Sequence, residues 1–217
     1  MKISKKTIEV LKNFATINSN ILIRQGKVLS TISTGKNIFA RAEVDNEFEK
    51  EFAVYDLNGL LGLLTAFDNA DVDFGDESLT VKQNNSTFEY FYADPNIIVS
   101  APDKTIEVDE FFKFKLTKDK LELILKAAGI TAAPMFSVVS KEGQVTIQVG
   151  DPSTPKSNSF VEAIGEASVD FNAQLAIENL KVVPGDYEVV VSQKKFLHFK
   201  NEGGLQYWLA LERSSEI

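Results

Sequence analysis

The sequence SKKTIEVLKN at Ser4–Asn13 has a counterpart about 113 residues further along the chain, TKDKLELILK at Thr117–Lys126. Each segment opens on a hydroxyl residue that can cap a helix and continues with apolar residues at helical spacing. Each also follows a short extended lead-in and precedes a pattern typical of a β-hairpin with a glycine turn. The repetition predicts an α+β chain built from two similar domains, each with the order helix, strands, helix, strands.

The first helix is predicted to bury one face and to expose lysines on the other. At about 100° per residue, Ile8, Leu11 and Ala15 share the apolar face, while Lys5 and Lys12 lie opposite. Residues 4–17 together carry a net charge of +2. A helix of this kind presents positive charge to solvent or to a ligand.

The second helix of the repeat has the same design. Its predicted buried stripe consists of Leu121, Ile124 and Ala128. Lys118 and Lys126 lie off that stripe, and Gly129 is the predicted end of the helix. Residues 117–129 carry a net charge of +1.

The charge of these two helices contrasts with the rest of the chain. The 217 residues have a formal net charge of -8, so the part outside the two helices carries -11. An acidic protein that concentrates lysine on two equivalent helices has a selective use for the positive charge, and a polyanion is the obvious ligand. The alternative is that these lysines form an ordinary solvated helix face.

Strand patterns follow each helix. Two hairpins are predicted around glycine turns: Asn20–Arg24 with Lys27–Ser33 around Gln25-Gly26, and Phe136–Ser140 with Gln144–Val149 around Glu142-Gly143. A further helix is predicted over Leu57–Phe67, entered at Asp56, and a short helical turn over Ile177–Lys181. The edges of such sheets are open, which favours pairing with another copy of the chain.

Aromatic residues and a connector complete the organisation. Phe88, Tyr90 and Tyr92 recur at the two-residue period of a strand, and we expect them to lie in the core rather than to stack on bases. The same holds for the apolar stripe in Leu205–Leu211.

Ala101–Glu110 contains a proline and a charge run without helical period, which indicates an interdomain connector. The predicted domains are therefore 1–105 and 106–217.

Several classes of chemistry lack support. The chain has no cysteine and a single histidine, His198, so Cys-based and His-based metal sites are excluded, and no serine has the motif of a nucleophile. The acidic run from Asp68 to Glu77 does not have the spacing of an EF-hand. We expect no enzymatic activity, no cofactor and no metal. No apolar stretch approaches the roughly 18 residues of a membrane span, and the absence of cysteine fits a reducing cytoplasm.

Three segments resemble the DNA polymerase sliding clamps of T4-type bacteriophages: Leu11–Ser19, Val54–Leu64 and Val183–Tyr187. The order of elements agrees over essentially the whole chain. The resemblance implies the DNA clamp fold, in which two similar domains per subunit carry helices on one face of antiparallel sheets and three subunits form a ring. The helices line the hole and the sheets form the outer wall. A non-enzymatic processivity factor that acts in the cytoplasm of an infected bacterium is the implied function.

The resemblance also implies partners and sites. The expected partners are duplex DNA through the ring, two further copies of the chain in a homotrimer, the phage DNA polymerase, an ATP-driven clamp loader and late transcription factors, with no membrane. The candidate DNA-facing residues are Lys5, Lys6, Lys12, Lys118, Lys120, Lys126 and Lys181. The candidate pocket for the polymerase's C-terminal peptide comprises Pro102, Ile106 and Val108, which could instead only fasten the connector to a sheet.

Other functions remain as alternatives. The chain could be a β-rich phage structural protein that oligomerises through sheet edges and never touches DNA. A small-molecule hydrolase is disfavoured by the missing nucleophile and base. A single-strand binder needs exposed basic and aromatic grooves, whereas the aromatic residues here occur at core periods.

Overall fold

The computed structural model describes residues 1–67, 71–104, 106–154 and 156–217. Asp68, part of the acidic run in the sequence, lies outside these ranges, as does the residue at the predicted domain boundary, Thr105. The chain divides into two compact units, Met1–Lys104 and Thr105–Ile217.

The first unit alternates helices and antiparallel strands. Its elements are α1 (Lys5–Ile17), β1 (Ile21–Ile23), β2 (Gly26–Ile32), β3 (Ile38–Phe48), β4 (Phe52–Val54), α2 (Leu57–Ala66), β5 (Asp71–Phe74), β6 (Ser78–Gln83) and β7 (Ser86–Phe91). β1 pairs with β4, β2 pairs with β3, and β5, β6 and β7 form a meander. α1 packs on β2, β3 and α2. The predicted helix at Leu57–Phe67 is confirmed, with Asp56 as its N-cap.

The second unit repeats the theme of a helix beside antiparallel sheets. Its elements are β8 (Phe112–Leu116), α3 (Lys118–Thr131), β9 (Met135–Lys141), β10 (Gln144–Gly150), β11 (Phe160–Glu166), β12 (Phe171–Ala176), β13 (Tyr187–Ser192), β14 (Phe196–Lys200) and β15 (Gln206–Ala210). One sheet has the order β11-β10-β9-β12, and the other runs β8-β13-β14-β15. α3 packs on β10 and β11. The short helical turn predicted over Ile177–Lys181 is a 3-10 turn at Ile177–Asn179.

α1 begins at the predicted residue, but its buried face differs from the predicted one. The Ser4 hydroxyl caps it by accepting a hydrogen bond from the Thr7 amide at 3.1 Å. The buried residues are Thr7, Val10, Leu11, Phe14 and Ile17. Of the three residues predicted to share the apolar face, Leu11 is fully buried, whereas Ile8 and Ala15 are half-buried at its border. Burying valine, phenylalanine and isoleucine side chains removes more apolar surface from water than the predicted face would.

α3 buries the predicted stripe of Leu121, Ile124 and Ala128. The prediction that it ends at Gly129 was wrong, since the helix continues to Thr131 and closes at Ala132, whose φ of 49° is left-handed. Pro134 lies two residues beyond this cap and has no amide hydrogen with which to continue the helix. The stop signal was therefore the proline rather than the glycine.

One of the two predicted hairpins forms. β9 and β10 pair around Glu142 and Gly143, whose φ values of 53° and 87° give the doubly left-handed turn that matches the twist of a hairpin. The hairpin predicted around Gln25-Gly26 was wrong, because β1 pairs with β4 instead of β2. All three residues of β1 are buried, as are all three of β4, whereas β2 opens with the exposed Lys27. A strand that is apolar on both faces requires an equally buried partner.

The aromatic residues near the end of the first unit depart from the prediction of a core stripe. Phe88 of β7 is 47% exposed and Phe91 is 66% exposed. Tyr90 and Tyr92 are half-buried, so the prediction was wrong for Phe88 and only partly met by the two tyrosines. β7 pairs only with β6 among the described residues and is the edge of its sheet, which leaves its side chains without a second neighbour. In β15, by contrast, Tyr207 and Leu209 are fully buried as predicted.

Candidate functional site

The exposed face of α1 is positively charged because its polar residues lie opposite the buried stripe. Lys5, Glu9, Lys12 and Thr16 lie along this face, with both lysines exposed. Neither Lys5 nor Lys12 forms a salt bridge within the described residues, whereas Lys6 lies 3.8 Å from Asp45. The charge of Lys5 and Lys12 is therefore available to an anion in solution.

A groove of about 320 Å³ runs beside this face. Lys2, Lys5 and Lys12 line it together with Glu9, over apolar side chains contributed by α1, α2 and β5. The sequence prediction missed Lys2, which precedes the helix and so does not appear on a helical wheel. Its position three residues before Lys5 was the available signal. With three lysines and one glutamate, the lining of this groove is net positive.

The exposed face of α3 has a different electrostatic character. Lys118 lies 3.7 Å from Glu122 one turn along, and Lys120 lies 2.5 Å from Glu162 on β11. Lys126 is exposed and is the remaining lysine of the helix without an ion pair among the described residues. Because two of its three lysines are paired with carboxylates, α3 presents little net positive charge.

Apolar side chains add to this difference. Leu123 is 47% exposed and Ile130 is 76% exposed on the solvent face of α3. Lys181, the remaining candidate lysine, follows the 3-10 turn and is half-buried, with its amide donating to the Asn179 carbonyl at 2.8 Å. The structure thus brings Lys5 and Lys12 together and places the candidates of the second unit in separate settings.

The connector residues fall into two groups. Pro102 is exposed and lines a groove of about 200 Å³ beside β2 and β3. Ile106 and Val108 are half-buried in the second unit. The next residues are tied down there, since Lys194 Nζ donates to the Glu107 carbonyl at 3.2 Å and the Ser192 hydroxyl donates to Asp109. That hydroxyl holds the pKa of the Asp109 carboxyl below its usual range.

Two of the edge strands in the described parts of the chain, β7 and β11, carry exposed apolar side chains. β7 presents Phe88 and Phe91 at the edge of the first unit's meander. Its Tyr90 hydroxyl donates to the Asp56 carbonyl at 3.0 Å, and burial raises the pKa of that phenol. β11 is the edge of a sheet in the second unit and carries Val161, which is 56% exposed. Both edges offer unpaired backbone groups beside apolar side chains.

The remaining candidates have structural roles. His198 is buried, stacks on Trp208 with ring centroids 4.7 Å apart, and lies 3.0 Å from the Gln206 side-chain oxygen. Burial lowers the pKa of this histidine. Across the described ranges there is no group of three or more potential metal ligands. None of the helices in those ranges combines the length and apolarity that a membrane crossing requires.

Comparison with known proteins gives a consistent result. Residues 2–100 match the model of the family described as DNA polymerase processivity factor. The sliding clamp of Vibrio phage KVP40 is 32% identical over 98% of this chain and 99% of its own, and that of Enterobacteria phage T4 is 30% identical over 99% and 98%. The solved structure of A. fulgidus PCNA with the C-terminal region of FEN-1 bound superposes with a TM-score of 0.70 at 16% identity, covering 96% of each chain. The last likeness shows the fold.

Proposed function

The chain belongs to the sliding-clamp family of DNA polymerase processivity factors, and we propose that three copies close into a ring around duplex DNA and tether the replicative polymerase. Sliding clamps are non-enzymatic, so the activity is retention on DNA rather than catalysis. We place this activity in the cytoplasm of the infected bacterium. The observation that carries the proposal is that Lys5 and Lys12, on α1 of an acidic chain, are exposed and have no ion pair among the described residues.

The electrostatics favour sliding over fixed binding. Duplex DNA carries about one phosphate charge per 1.7 Å of its axis, so a few lysines on the inner helices suffice to attract it. Contacts to phosphates carry no sequence information, which lets the ring move along the duplex. The acidic remainder of the chain repels DNA elsewhere on the surface. Intrinsic affinity is therefore weak, and retention comes from encirclement.

Ring closure needs two complementary edges on each subunit. We propose that β7 of one copy pairs with β11 of the next, because both strands are open edges with exposed apolar side chains. Each subunit has one edge of each kind, so the contact is heterologous, and a rotation that closes gives a ring. We further propose that the predicted domains, 1–105 and 106–217, are the two similar domains of each subunit.

Partners complete the proposed role. We propose that the replicative polymerase binds through its C-terminal peptide near the connector, that an ATP-driven loader opens the ring, and that late transcription factors use the same clamp. The A. fulgidus PCNA structure, in which the C-terminal region of FEN-1 is bound, supports a peptide mode of binding. Transcriptional coupling rests on the family resemblance alone.

A first test images the purified protein by negative-stain electron microscopy at micromolar concentration, with chemical cross-linking in parallel. We expect rings of three subunits with an open centre. Solid particles together with a failure to trap trimers by cross-linking would contradict the proposal. A second test measures retention on circular DNA and its loss after linearisation, which separates encirclement from ordinary binding.

A further inference from the structure

β12 is an edge strand whose outward side is covered by another part of the chain. Its sheet has the order β11-β10-β9-β12, so β11 and β12 are the two edges. β12 pairs with β9 on one side over Phe171–Ala176. On its other side lies the segment Glu212–Glu216, which follows β15 and is called the strap below. β12 therefore differs from β11, the opposite edge of the same sheet.

The strap satisfies the backbone groups that β12 turns away from β9. Asn172 exchanges two backbone hydrogen bonds with Glu216, at 2.7 and 2.9 Å. The Gln174 amide donates to the Ser215 hydroxyl at 2.9 Å, and the Gln174 carbonyl accepts from the Glu212 amide at 2.8 Å. All four outward backbone groups of Asn172 and Gln174 thus have a partner in the strap, as they would have in a paired strand.

Ser215 is the residue by which the strap is held most closely. It is 4% exposed, and its hydroxyl both accepts from the Gln174 amide and donates to the Gln174 carbonyl, at 3.3 Å. One hydroxyl therefore replaces the backbone donor and acceptor that a neighbouring strand would supply. From the turn between β13 and β14, Lys195 Nζ donates to the Ser215 carbonyl at 3.1 Å.

Polar contacts hold the strap, with little apolar packing. None of its five residues is apolar, and Arg213, Ser214 and Glu216 are exposed. Its one strand-like contact is the bridge between Asn172 and Glu216. A segment with few buried apolar contacts opens locally at a low cost in free energy. The strap can therefore leave β12 while the second unit stays folded.

We propose that the strap is an intramolecular cap on a strand-docking edge, and that β12 pairs with a strand of a second copy when the cap opens. A strand of another copy fits because it offers the same backbone donors and acceptors as the strap, and each copy carries the uncapped edge strands β7 and β11. The inference goes beyond the proposed ring. It gives a reason why ring closure would use β11 of this sheet and not β12.

The first test measures hydrogen–deuterium exchange of the full chain by mass spectrometry. Ser215→Ala removes the hydroxyl that serves Gln174, so exchange of the β12 amides should rise about tenfold or more. The matched control is Ser214→Ala, at the neighbouring exposed residue, whose hydroxyl donates to the side-chain oxygen of Gln174 and to no backbone group of β12. Exchange in β9 should stay unchanged in both variants, which shows that the sheet is folded.

The second test measures association by sedimentation velocity over a range of concentrations. Ser215→Ala should form species larger than those of the unaltered protein, and their size should grow with concentration. A reversible lock separates edge pairing from general misfolding. The chain has no cysteine, so Asn172→Cys with Glu216→Cys, added to Ser215→Ala, introduces a single pair across the bridge. Oxidation should close the cap and remove the larger species, and reduction should restore them.

Each outcome supports or contradicts the cap. If β12 exchanges no faster in Ser215→Ala than in Ser214→Ala, the cap is wrong. If exchange rises but no larger species form at any concentration, pairing with a second copy is wrong. Failure of the two cysteines to join within one chain would contradict the bridge. If the unaltered protein forms no ring, the proposed function fails, whereas the exchange result, which needs no ring, still decides the cap.

Discussion

α1 and α3 occupy equivalent places in the two units and share a design, yet their surfaces differ. Both begin at a hydroxyl cap and both bury an apolar stripe against a sheet. Both carry three lysines. In α1 two of these have no ion pair among the described residues, while in α3 two of three are paired with glutamates. Although each helix carries three lysines, α1 therefore presents more positive charge to solvent than α3.

The two helices resemble each other more closely in their buried stripes than in the pairing of their surface lysines. A buried stripe is constrained by packing, because every buried side chain touches several neighbours. A lysine on the solvent face makes few packing contacts, so its position and its ion pairs can differ between the two helices. We infer that the first unit supplies most of the attraction for DNA, and that α3 contributes mainly through Lys126.

The largest expected effects come from truncating a buried side chain in each of the two helices. Phe14→Ala in α1 and Leu121→Ala in α3 each remove a side chain that is fully buried. Such truncations leave a cavity and cost about 3–5 kcal/mol for phenylalanine and about 2–5 kcal/mol for leucine. The free energy of unfolding, measured by urea denaturation, should fall in both variants. A marked loss in only one would show that the two helices are not equivalent in packing.

The next effect should distinguish the two surfaces. Lys5→Glu with Lys12→Glu reverses two charges that have no ion pair among the described residues. It should lower loading or processivity by about tenfold or more, since attraction to DNA depends on the number of phosphates neutralised. Lys118→Glu with Lys120→Glu, the matched pair in α3, should have a smaller effect because these lysines are already paired. Primer-extension length on a circular template measures both. Equal losses would contradict the inferred difference between α1 and α3, and unchanged loading by the first pair would remove Lys5 and Lys12 from the pore.

The caps provide a finer comparison. Ser4 Oγ accepts from the Thr7 amide at 3.1 Å, while Thr117 Oγ1 accepts from the Lys120 amide at 3.4 Å. Loss of an N-cap costs typically about 1 kcal/mol. Ser4→Ala should therefore destabilise the protein more than Thr117→Ala, because its hydrogen bond is shorter. The midpoint of thermal unfolding checks the order, and the reverse order would contradict the geometric argument.

The smallest effect tests whether α3 can be made to resemble α1. Glu122→Gln removes the carboxylate that pairs with Lys118, and an exposed pair of this kind contributes less than about 1 kcal/mol to stability. Folding should be nearly unchanged, while the dependence of DNA retention on salt should become steeper by about one phosphate equivalent. Glu142→Gln, at an exposed hairpin turn, is the control. A flat response would show that α3 does not face the duplex.

The fold was predictable where the signals are local. The stripe of Leu121, Ile124 and Ala128 follows from helical period alone, and the hairpin of β9 and β10 follows from a glycine turn between alternating strands. The pairing of β1 with β4 was not predictable in this way, because the two strands are separated by β2 and β3. β1 and β4 are both buried on both faces, and that burial arises only when the whole unit has folded.

The exposed lysines of the candidate site could be predicted from the sequence, but the carboxylates that pair with some of them could not. The helical wheel identifies which lysines are exposed, and Lys5 and Lys12 are. It cannot identify Glu162 as the partner of Lys120, because that residue lies on a distant strand. The groove that Pro102 lines beside β2 and β3 was not predicted for the same reason, since Arg24, Arg41 and Lys104 come together there only in the folded unit.

The exposed phenylalanines of β7 have a consequence for the life of a newly made subunit. An unpaired, apolar edge strand is a template for any chain with a strand to offer, including a misfolded copy. A subunit that has not yet met its neighbours therefore carries an aggregation hazard, and pairing of β7 hides it. On this view ring closure also protects solubility, and overproduced subunits should precipitate whenever synthesis outruns assembly.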